Sequence, residues 1–203
     1  MRSDLACEFL TENLEFPDED IRHEIVLALE SSAYSSPDEK GDYFVSQIKD
    51  ESQDLQWALT AIKDLEKERD TETIVRALRI EEQQNQKRSF IFLSFLFDRS
   101  LIRQVWDNFI FGDTHTKAYA LELLDNLLPR KLRSLIFPMI EAKPDKERIK
   151  ELLHGKKAEH LDYKERLREI LGHSNQWTTT WSKCCALHTV ALKKNDEFKE
   201  ELR

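Results

Sequence analysis

A helical pattern that recurs at nearly constant spacing constrains the fold of this 203-residue chain more than any other feature. In each copy, a basic or apolar anchor is followed by apolar residues three, four and seven positions later, which share one face of a helix. The anchors are Arg22, Leu55, Arg88, Lys117 and Lys183. They lie 33, 33, 29 and 66 residues apart, and the last gap is twice 33. Such a period is typical of stacked two-helix units, because each unit buries its apolar face against the next.

The composition agrees with an all-helical chain. Gly (4 residues) and Pro (5 residues) are scarce, whereas strands joined by tight turns need more of both. Charged residues make up 34% and apolar residues 40%, which suits helices with one buried and one solvated face. The net charge of -8 disfavours nucleic acid as a partner class, since phosphate backbones bind clustered Lys and Arg. A local basic patch is still open, since Arg130, Lys131 and Arg133 lie together, as do Lys156 and Lys157.

The cysteines and the apolar runs bear on the cellular setting. Cys184 and Cys185 are neighbours and Cys7 is remote, so the three cysteines have no disulfide framework spacing and are expected to be reduced. The longest apolar stretch covers residues 90–97, whereas a membrane-spanning helix needs roughly 20 such residues. We therefore expect no membrane span in this segment.

Turn signals between the apolar runs divide the chain into predicted pairs of helices. The first three pairs are expected at about 4–14 with 18–31, at about 38–49 with 51–66, and at about 70–82 with 84–97. The turn of the third pair is expected at residues 83–85, where three polar amides follow one another.

The fourth pair begins at about residue 101 and has the clearest boundaries. Gly112 is expected to end its first helix, because glycine tolerates a left-handed backbone. Asp113 opens its second helix and Pro129 ends it. A further helix is expected over about 130–142, and Pro138 should kink it or end it early.

The pattern becomes irregular after Pro144. Residues 145–172 predict two short, highly charged helices around Gly155, and Gly172 closes this stretch. A last regular helix is expected from about residue 176 to 194.

Two acid–base pairs occupy equivalent places in their helices. Asp18 precedes Arg22 by four residues, and Asp113 precedes Lys117 by four, so each pair shares a helix face. One interpretation is a first-turn acid that favours the helix N-terminus, followed by an internal base. The other is a charge ladder between neighbouring repeats. The sequence leaves both open.

Two segments resemble the second helix of a HEAT repeat, namely DEDIRHEIVLAL at residues 18–29 and KAYALELL at residues 117–124. Tetratricopeptide and ankyrin signatures do not appear. The resemblance and the period predict an all-α fold, a right-handed α-solenoid of HEAT-like helical hairpins (an alpha-alpha superhelix). We expect one domain over residues 1–203, irregular near 145–172, and part of a longer chain.

A longer series of segments is similar to the HEAT-repeat region of bacterial proteins related to ATP/ADP translocases. The series consists of RSFIFLSFLFD at residues 88–98, KAYALELLDNLLP at 117–129, FPMI at 137–140 and WSKCCALH at 181–188. In that family a transporter-like membrane part precedes the repeats, and a cyclic-nucleotide-binding domain often follows them. This chain departs from the pattern at Lys117, where Arg is usual, and at Thr179, where an acid is expected.

The resemblance implies a non-catalytic protein-interaction or regulatory scaffold module. Its partner would be a protein or an adjoining domain of a longer chain, in the cytoplasm, with a tether to the inner membrane through a transporter domain that this segment lacks. A row of binding residues is expected on successive second helices, formed by Arg22, Arg88, Lys117 and Lys183, if bridges within the repeats do not occupy them. The alternative is a HEAT-like enzyme of the bilin-lyase or DNA-base-excising type, which would need a polar pocket or a basic concave face.

The sequence offers little for catalysis, and we expect no catalytic residue, cofactor or metal. Glycines stand only at positions 41, 112, 155 and 172, so a phosphate-binding loop is not expected. Cys184 and His188 share a helix face, yet two ligands fall short of a zinc site. Asp125 lies among leucines, and we expect it to bind backbone in a neighbouring turn rather than act as a catalyst.

Seven aromatic residues in the middle of the chain are expected to form the thickest part of the core, and an exposed apolar groove is the alternative. They are Phe90, Phe92, Phe95, Phe97, Trp106, Phe109 and Phe111.

Overall fold

The computed structural model describes residues 2–17, 19–37, 40–172, 178–192 and 198. These ranges contain ten helices and no strand, which confirms the all-α class. The helices are α1 (Arg2–Glu12), α2 (Glu19–Ser31), α3 (Gly41–Leu65), α4 (Glu72–Leu96), α5 (Arg99–Phe111), α6 (Thr114–Leu127), α7 (Arg130–Ile140), α8 (Asp145–Leu152), α9 (Tyr163–Leu171) and α10 (Thr180–Leu192). Within the described ranges, none of them combines the length and the apolar character that crossing a bilayer requires.

Helices α3 and α4 differ from the predicted hairpins, since each is a continuous helix of 25 residues. The breaks predicted near residue 50 and at residues 83–85 were wrong. Neither place carries Gly or Pro, and a polar run without them does not interrupt a helix. Packing also stabilises the helix at these two places, because Glu51, Ser52 and Asn85 are all less than 9% exposed.

The chain divides into two compact units. Unit 1 comprises Met1–Lys49 and Arg88–Arg133, and unit 2 comprises Asp50–Lys87 and Ser134–Arg203. The boundaries between these segments fall inside α3, α4 and α7. The single domain expected over residues 1–203 stays a prediction.

Unit 1 contains two pairs of consecutive helices that pack against each other, α1 with α2 and α5 with α6. Its core is largely aromatic. The ring of Phe44 on α3 lies with its centroid 6.0 Å from that of Phe92 and 5.1 Å from that of Phe95, both on α4. Phe90 packs on Trp106 of α5 at 4.8 Å. The predicted aromatic core is therefore confirmed for the three α4 phenylalanines, which are at most 4% exposed.

The last member of the predicted aromatic core lies elsewhere. Phe111 at the end of α5 is 84% exposed, so its assignment to the core was wrong. It stands one residue before Gly112, where the chain leaves the helix, and none of the described helices covers its side chain.

Gly112 ends α5 as predicted, but for a different reason. Its backbone is extended, with φ of -75° and ψ of 155°, rather than left-handed. A Cβ at this position would lie 2.2 Å from the carbonyl oxygen of Asn108 and 2.9 Å from the side chain of Thr116. Glycine is needed here because the chain passes close to its own helix, not because of its backbone angles.

Asp113 caps the N-terminus of α6. Its carboxylate accepts from the Thr116 backbone N–H at 2.8 Å and from the Thr116 hydroxyl at 2.7 Å. These bonds hold the pKa of Asp113 below its usual value, the backbone bond contributing most. The geometry agrees with the interpretation of a first-turn acid. The equivalent acid, Asp18, lies outside the described residues.

Unit 2 packs α9 against α10 and has a core that draws on several helices. The predicted irregular stretch is confirmed as the short helices α8 and α9, separated by Gly155 with a positive φ of 87°. Gly172 ends α9, where its N–H donates to the Arg168 carbonyl at 2.8 Å. Pro138 lies inside α7, which ends at Ile140, two residues before the predicted end.

The continuity of α4 can be tested at the predicted break. We expect Gln84→Pro to destabilise the chain by roughly 3 kcal/mol, because proline removes a helical hydrogen bond and clashes with the preceding turn. Gln84 is exposed, so the matched control Gln84→Ala should leave the unfolding free energy nearly unchanged. Urea denaturation followed by circular dichroism measures both. A proline that is tolerated as well as alanine would indicate the turn that the sequence predicted.

Candidate functional site

The most developed polar arrangement in unit 2 is an ion pair between Asp64 near the end of α3 and Arg166 on α9. The Arg166 guanidinium donates to Asp64 Oδ2 from Nη2 at 2.6 Å and from Nε at 2.9 Å. The two side chains are only 3% and 4% exposed. Nη2 also donates to the Glu159 carbonyl at 2.9 Å, and the Leu161 N–H donates to Asp64 at 3.2 Å. This pair therefore ties α3, the segment before α9, and α9 itself together.

Aromatic and charged neighbours extend this ion pair in both directions. Arg166 pairs with Glu169 one turn later, and Glu169 in turn accepts from the Trp57 indole N–H at 3.1 Å. The guanidinium also lies 6.0 Å from the Trp57 ring centroid, within the range of a cation–π contact. On the other side, His160 Nδ1 lies 2.7 Å from Asp64 Oδ1, with the histidine side chain 59% exposed.

A second buried arginine donates hydrogen bonds to backbone carbonyls at the C-terminal end of α7. Arg148 of α8 donates from Nε to the Pro138 carbonyl at 3.0 Å and from Nη2 to the Met139 carbonyl at 2.8 Å. Its Nη1 meets Glu82 of α4 at 2.6 Å. Carbonyls in the last turn of a helix lack intrahelical partners and carry partial negative charge, so a buried cation is well placed there.

Arg79 lies at the partly exposed edge of this cluster and shares the carboxylate of Glu82 with Arg148. Arg79 donates to Asp145 at 2.5 Å and to Glu82 at 2.7 Å. The hydrogen bond to Asp145 is the largest cause of the raised pKa of Arg79, which desolvation opposes and Glu82 reinforces. Two arginines and two acids thus join α4, α8 and the end of α7.

A third arrangement places the carboxylate of Glu81, on α4, at the N-terminus of α10. Glu81 Oε1 accepts from the Thr179 N–H at 2.9 Å, the Thr179 hydroxyl at 2.7 Å and the Ser182 hydroxyl at 2.5 Å. Its Oε2 is buried and has no hydrogen-bond partner within the described part of the chain. The sequence lacks an acid at position 179, and an acid from another helix takes its place.

The Glu81 arrangement brings together a carboxylate, a hydroxyl and a thiol, which are groups that nucleophilic catalysis uses. Ser182 is 0% exposed and Cys185, one turn later, is 3% exposed. Burial raises the pKa of the Cys185 thiol, and the neighbouring Cys184 and Glu81 raise it further. Ser182 and Cys185 are therefore both shielded from solvent, and the raised pKa disfavours the thiolate of Cys185.

The four predicted binding residues lie on four different helices. Arg22 is on α2, Arg88 on α4 and Lys117 on α6, all in unit 1, whereas Lys183 is on α10 in unit 2. Arg88 and Lys183 are half-buried and Lys117 is exposed. That these residues form one row stays a prediction.

Two of these cationic side chains make contacts within unit 1. The Arg22 guanidinium donates to the carbonyls of Phe16 and Pro17 at 2.7 and 3.1 Å, which holds the segment between α1 and α2. The Lys117 ammonium lies 6.0 Å from the ring centroid of Phe109. The Arg22 guanidinium thus binds local backbone carbonyls, whereas the Lys117 side chain remains exposed.

Within the described residues Asp125 accepts from a side chain and from no backbone N–H, so the prediction that it binds a neighbouring turn was wrong. It is exposed and pairs with the Arg133 side chain at 2.7 Å. Cys184 and His188 are both exposed on α10. The described ranges bring no three His, Cys, Asp or Glu side chains into a group that could hold a metal ion.

Among the open grooves on the described surface of unit 1 are one apolar and one polar groove. One, of about 620 Å³, lies on α1 and α2 and is lined largely by apolar side chains. The other, of about 770 Å³, follows α5 and is polar, with Arg99, Arg103 and Asp107 along it. Large apolar side chains are also exposed outside these grooves, including Leu5 and Phe9 on α1 and Trp181 on α10.

The period in the sequence did not reveal the buried ion pairs. Asp64 and Arg166 are 102 residues apart, and Glu82 and Arg148 are 66 apart. The available signal was a charge directly beside a buried apolar residue, such as Arg166 beside Leu167. That signal is weak, since a third of this chain is charged and most of those residues are solvated.

Comparison of the chain with models of known protein families, with curated proteins and with solved structures finds no match.

Removal of the buried arginine tests how strongly the polar arrangement holds unit 2. We expect Arg166→Met to destabilise the chain by about 3–5 kcal/mol, because it leaves Asp64 buried without its main partner. The control Lys63→Met breaks the half-exposed pair with Glu66 and should cost at most about 1 kcal/mol. Unfolding in guanidinium chloride measures the free energy of unfolding of both variants. Equal losses would mean that burial does not determine the contribution of the Asp64 pair.

Proposed function

We propose that this chain is a non-catalytic protein-interaction or regulatory scaffold module. The proposal rests on the contrast between charged side chains that are buried and paired and large apolar side chains that are exposed. In unit 2, the buried guanidinium groups of Arg148 and Arg166 bind carboxylates, and Arg148 also binds a backbone carbonyl. Large apolar side chains meanwhile face outward on several helices, and exposed apolar groups of this kind mark interaction sites.

We infer further that the helix pairs stack as HEAT-like units of a right-handed solenoid. The packing of α1 on α2, of α5 on α6 and of α9 on α10 supports this inference, as does the resemblance of residues 18–29 and 117–124 to HEAT helices. The continuous α3 and α4 are longer than the predicted repeat helices, so such an array would contain one pair of extended helices.

Small-angle X-ray scattering at low concentration tests the stacking. A compact domain of this length has a radius of gyration of about 17 Å. A linear array of helix pairs should exceed that value clearly and give an asymmetric distance distribution, because each pair contacts only its neighbours. A symmetric distribution at the compact value would contradict the solenoid.

The partner that we propose is the membrane portion or the nucleotide-sensing domain of a translocase-related protein, present in the same or a neighbouring chain. The resemblance at residues 88–98, 117–129, 137–140 and 181–188 supports this choice. Of the predicted binding row, Lys117 and Lys183 retain ammonium groups that make no ion pair within the described part of the chain.

Charge reversal tests the proposed partner. We expect the purified nucleotide-sensing domain or the solubilised transporter part to bind the immobilised chain, and Lys117→Glu with Lys183→Glu to weaken binding about tenfold or more. Lys146→Glu, at an exposed position on α8, is the matched control and should bind normally. Biolayer interferometry measures all three. If neither candidate binds the unaltered chain, the proposed partner is wrong.

The enzymatic alternative has less support. The arrangement nearest to a catalytic one within the described residues is the cluster of Glu81, Ser182 and Cys185, in which Ser182 and Cys185 are 0% and 3% exposed. A bilin lyase or a DNA-base-excising enzyme needs a pocket that its substrate can enter.

A further inference from the structure

We propose that unit 2 contains a preformed socket for an aromatic side chain on an acidic peptide, and that the chain's own Phe198 occupies it. The socket is the space that Phe198 fills in the core of unit 2, where this side chain is 1% exposed. The inference rests on the proposed function, which it deepens by naming a binding site and the class of peptide that the site takes. Three observations carry it: the residues around Phe198, the side chain that covers it, and the contacts that hold the surrounding helices.

The first observation is that Phe198 is a single apolar residue in a polar stretch. Helix α10 ends at Leu192, and the five residues between it and Phe198 are all polar. Within residues 193–201, Phe198 is the only apolar side chain. Because charged and amide side chains favour water, this stretch has one residue that gains free energy from burial in the core. Phe198 is thus an isolated anchor, as in a peptide that binds through one aromatic residue.

The second observation concerns what covers Phe198. The guanidinium of Arg168, on α9, lies 5.2 Å from the centroid of the Phe198 ring, within the range of a cation–π contact. Arg168 is itself exposed, so a side chain at the surface covers part of the ring. Of the five charged residues that flank Phe198 in 196–201, four are acidic. A cation beside the socket therefore matches the charge of the peptide segment that carries the aromatic residue.

The third observation is that the walls of the socket are held by contacts that do not involve Phe198. The rest of this core comes from α3, α4, α9 and α10. Asp64 joins α3 to α9 through Arg166, and α9 packs directly on α10. Glu81 joins α4 to α10 through the Ser182 hydroxyl. A site whose walls are fixed in advance binds its ligand with little cost of ordering.

Such a socket gives an interaction module a defined contact that its own chain controls. A partner segment with an aromatic residue among acidic ones would compete with Phe198 for the same space. While Phe198 fills the socket, that partner is kept out, so residues 193–201 act as an autoinhibitory ligand. The apparent affinity of the partner is then reduced by the fraction of chains in which the socket is filled.

Binding in trans tests the socket, and the probe is a fluorescently labelled peptide of residues 193–203. In the full chain, Phe198→Ala empties the socket and leaves the rest of the segment in place. We expect the peptide to bind this variant with a dissociation constant on the order of micromolar. It should bind the unaltered chain at least about tenfold more weakly, because Phe198 already fills the site there. Fluorescence anisotropy measures both affinities.

Three controls distinguish the socket from other modes of binding. A peptide with Ala in place of its Phe should not bind the Phe198→Ala chain. Arg168→Gln, added to Phe198→Ala, should weaken binding of the peptide several-fold, because the cation–π contact is lost. Phe111→Ala removes an aromatic side chain that is 84% exposed in unit 1 and leaves the socket filled. It should therefore bind the peptide as weakly as the unaltered chain does.

Circular dichroism melts establish whether Phe198→Ala is folded. If it is not, the measurement is made on Phe198→Leu, which keeps most of the apolar volume. Folding that the peptide restores supports the socket. If both variants are unfolded and the peptide does not restore them, Phe198 is a fixed part of the core and the proposal is overturned.

The proposal is also overturned if the folded variant binds no peptide, or if the unaltered chain binds it equally well. None of these results bears on the charge-reversal experiment, which uses other probes and other residues. Loss of binding there, with the peptide still bound by the emptied socket, would remove only the proposed transporter or nucleotide-sensing partner.

Discussion

The arrangement of unit 2 depends on arginines that are buried together with the groups that neutralise them. A buried cation is tolerated only where carboxylates and carbonyl oxygens replace its water. Arg166 has Asp64 and the Glu159 carbonyl, and Arg148 has Glu82 and the carbonyls at the end of α7. Because the partners come from different segments, Arg166 connects α9 to α3, and Arg148 connects α8 to α4 and to the end of α7.

The same requirement explains why α10 begins where it does. The first turn of a helix has N–H groups without partners, and Thr179 alone satisfies few of them. Glu81 reaches this turn from α4 and accepts the Thr179 N–H together with two hydroxyls. The start of α10 is thereby fixed to α4, and this positions its outward apolar face.

The all-α class and many helix ends could be predicted from the sequence, and the main error in the helix boundaries has one cause. The stop at Gly112, the start at Asp113, and the short helices around Gly155 were predicted because they depend on local backbone chemistry. The hairpin turns near residue 50 and at 83–85 were wrong, because a polar stretch without Gly or Pro was interpreted as a turn. Whether such a stretch stays helical depends on what it packs against. The candidate site was missed for a related reason, since its charges pair across 66 to 102 residues.

The sequence by itself determined the all-α class, most helix ends and the apolar faces, because these follow from the period of side chains and from capping within a few residues. Only the tertiary structure decided that α3 and α4 are continuous, which charges are buried, and which apolar side chains remain outside. These properties depend on contacts between distant segments, and the free energy of a buried charge depends on partners that no local pattern reveals.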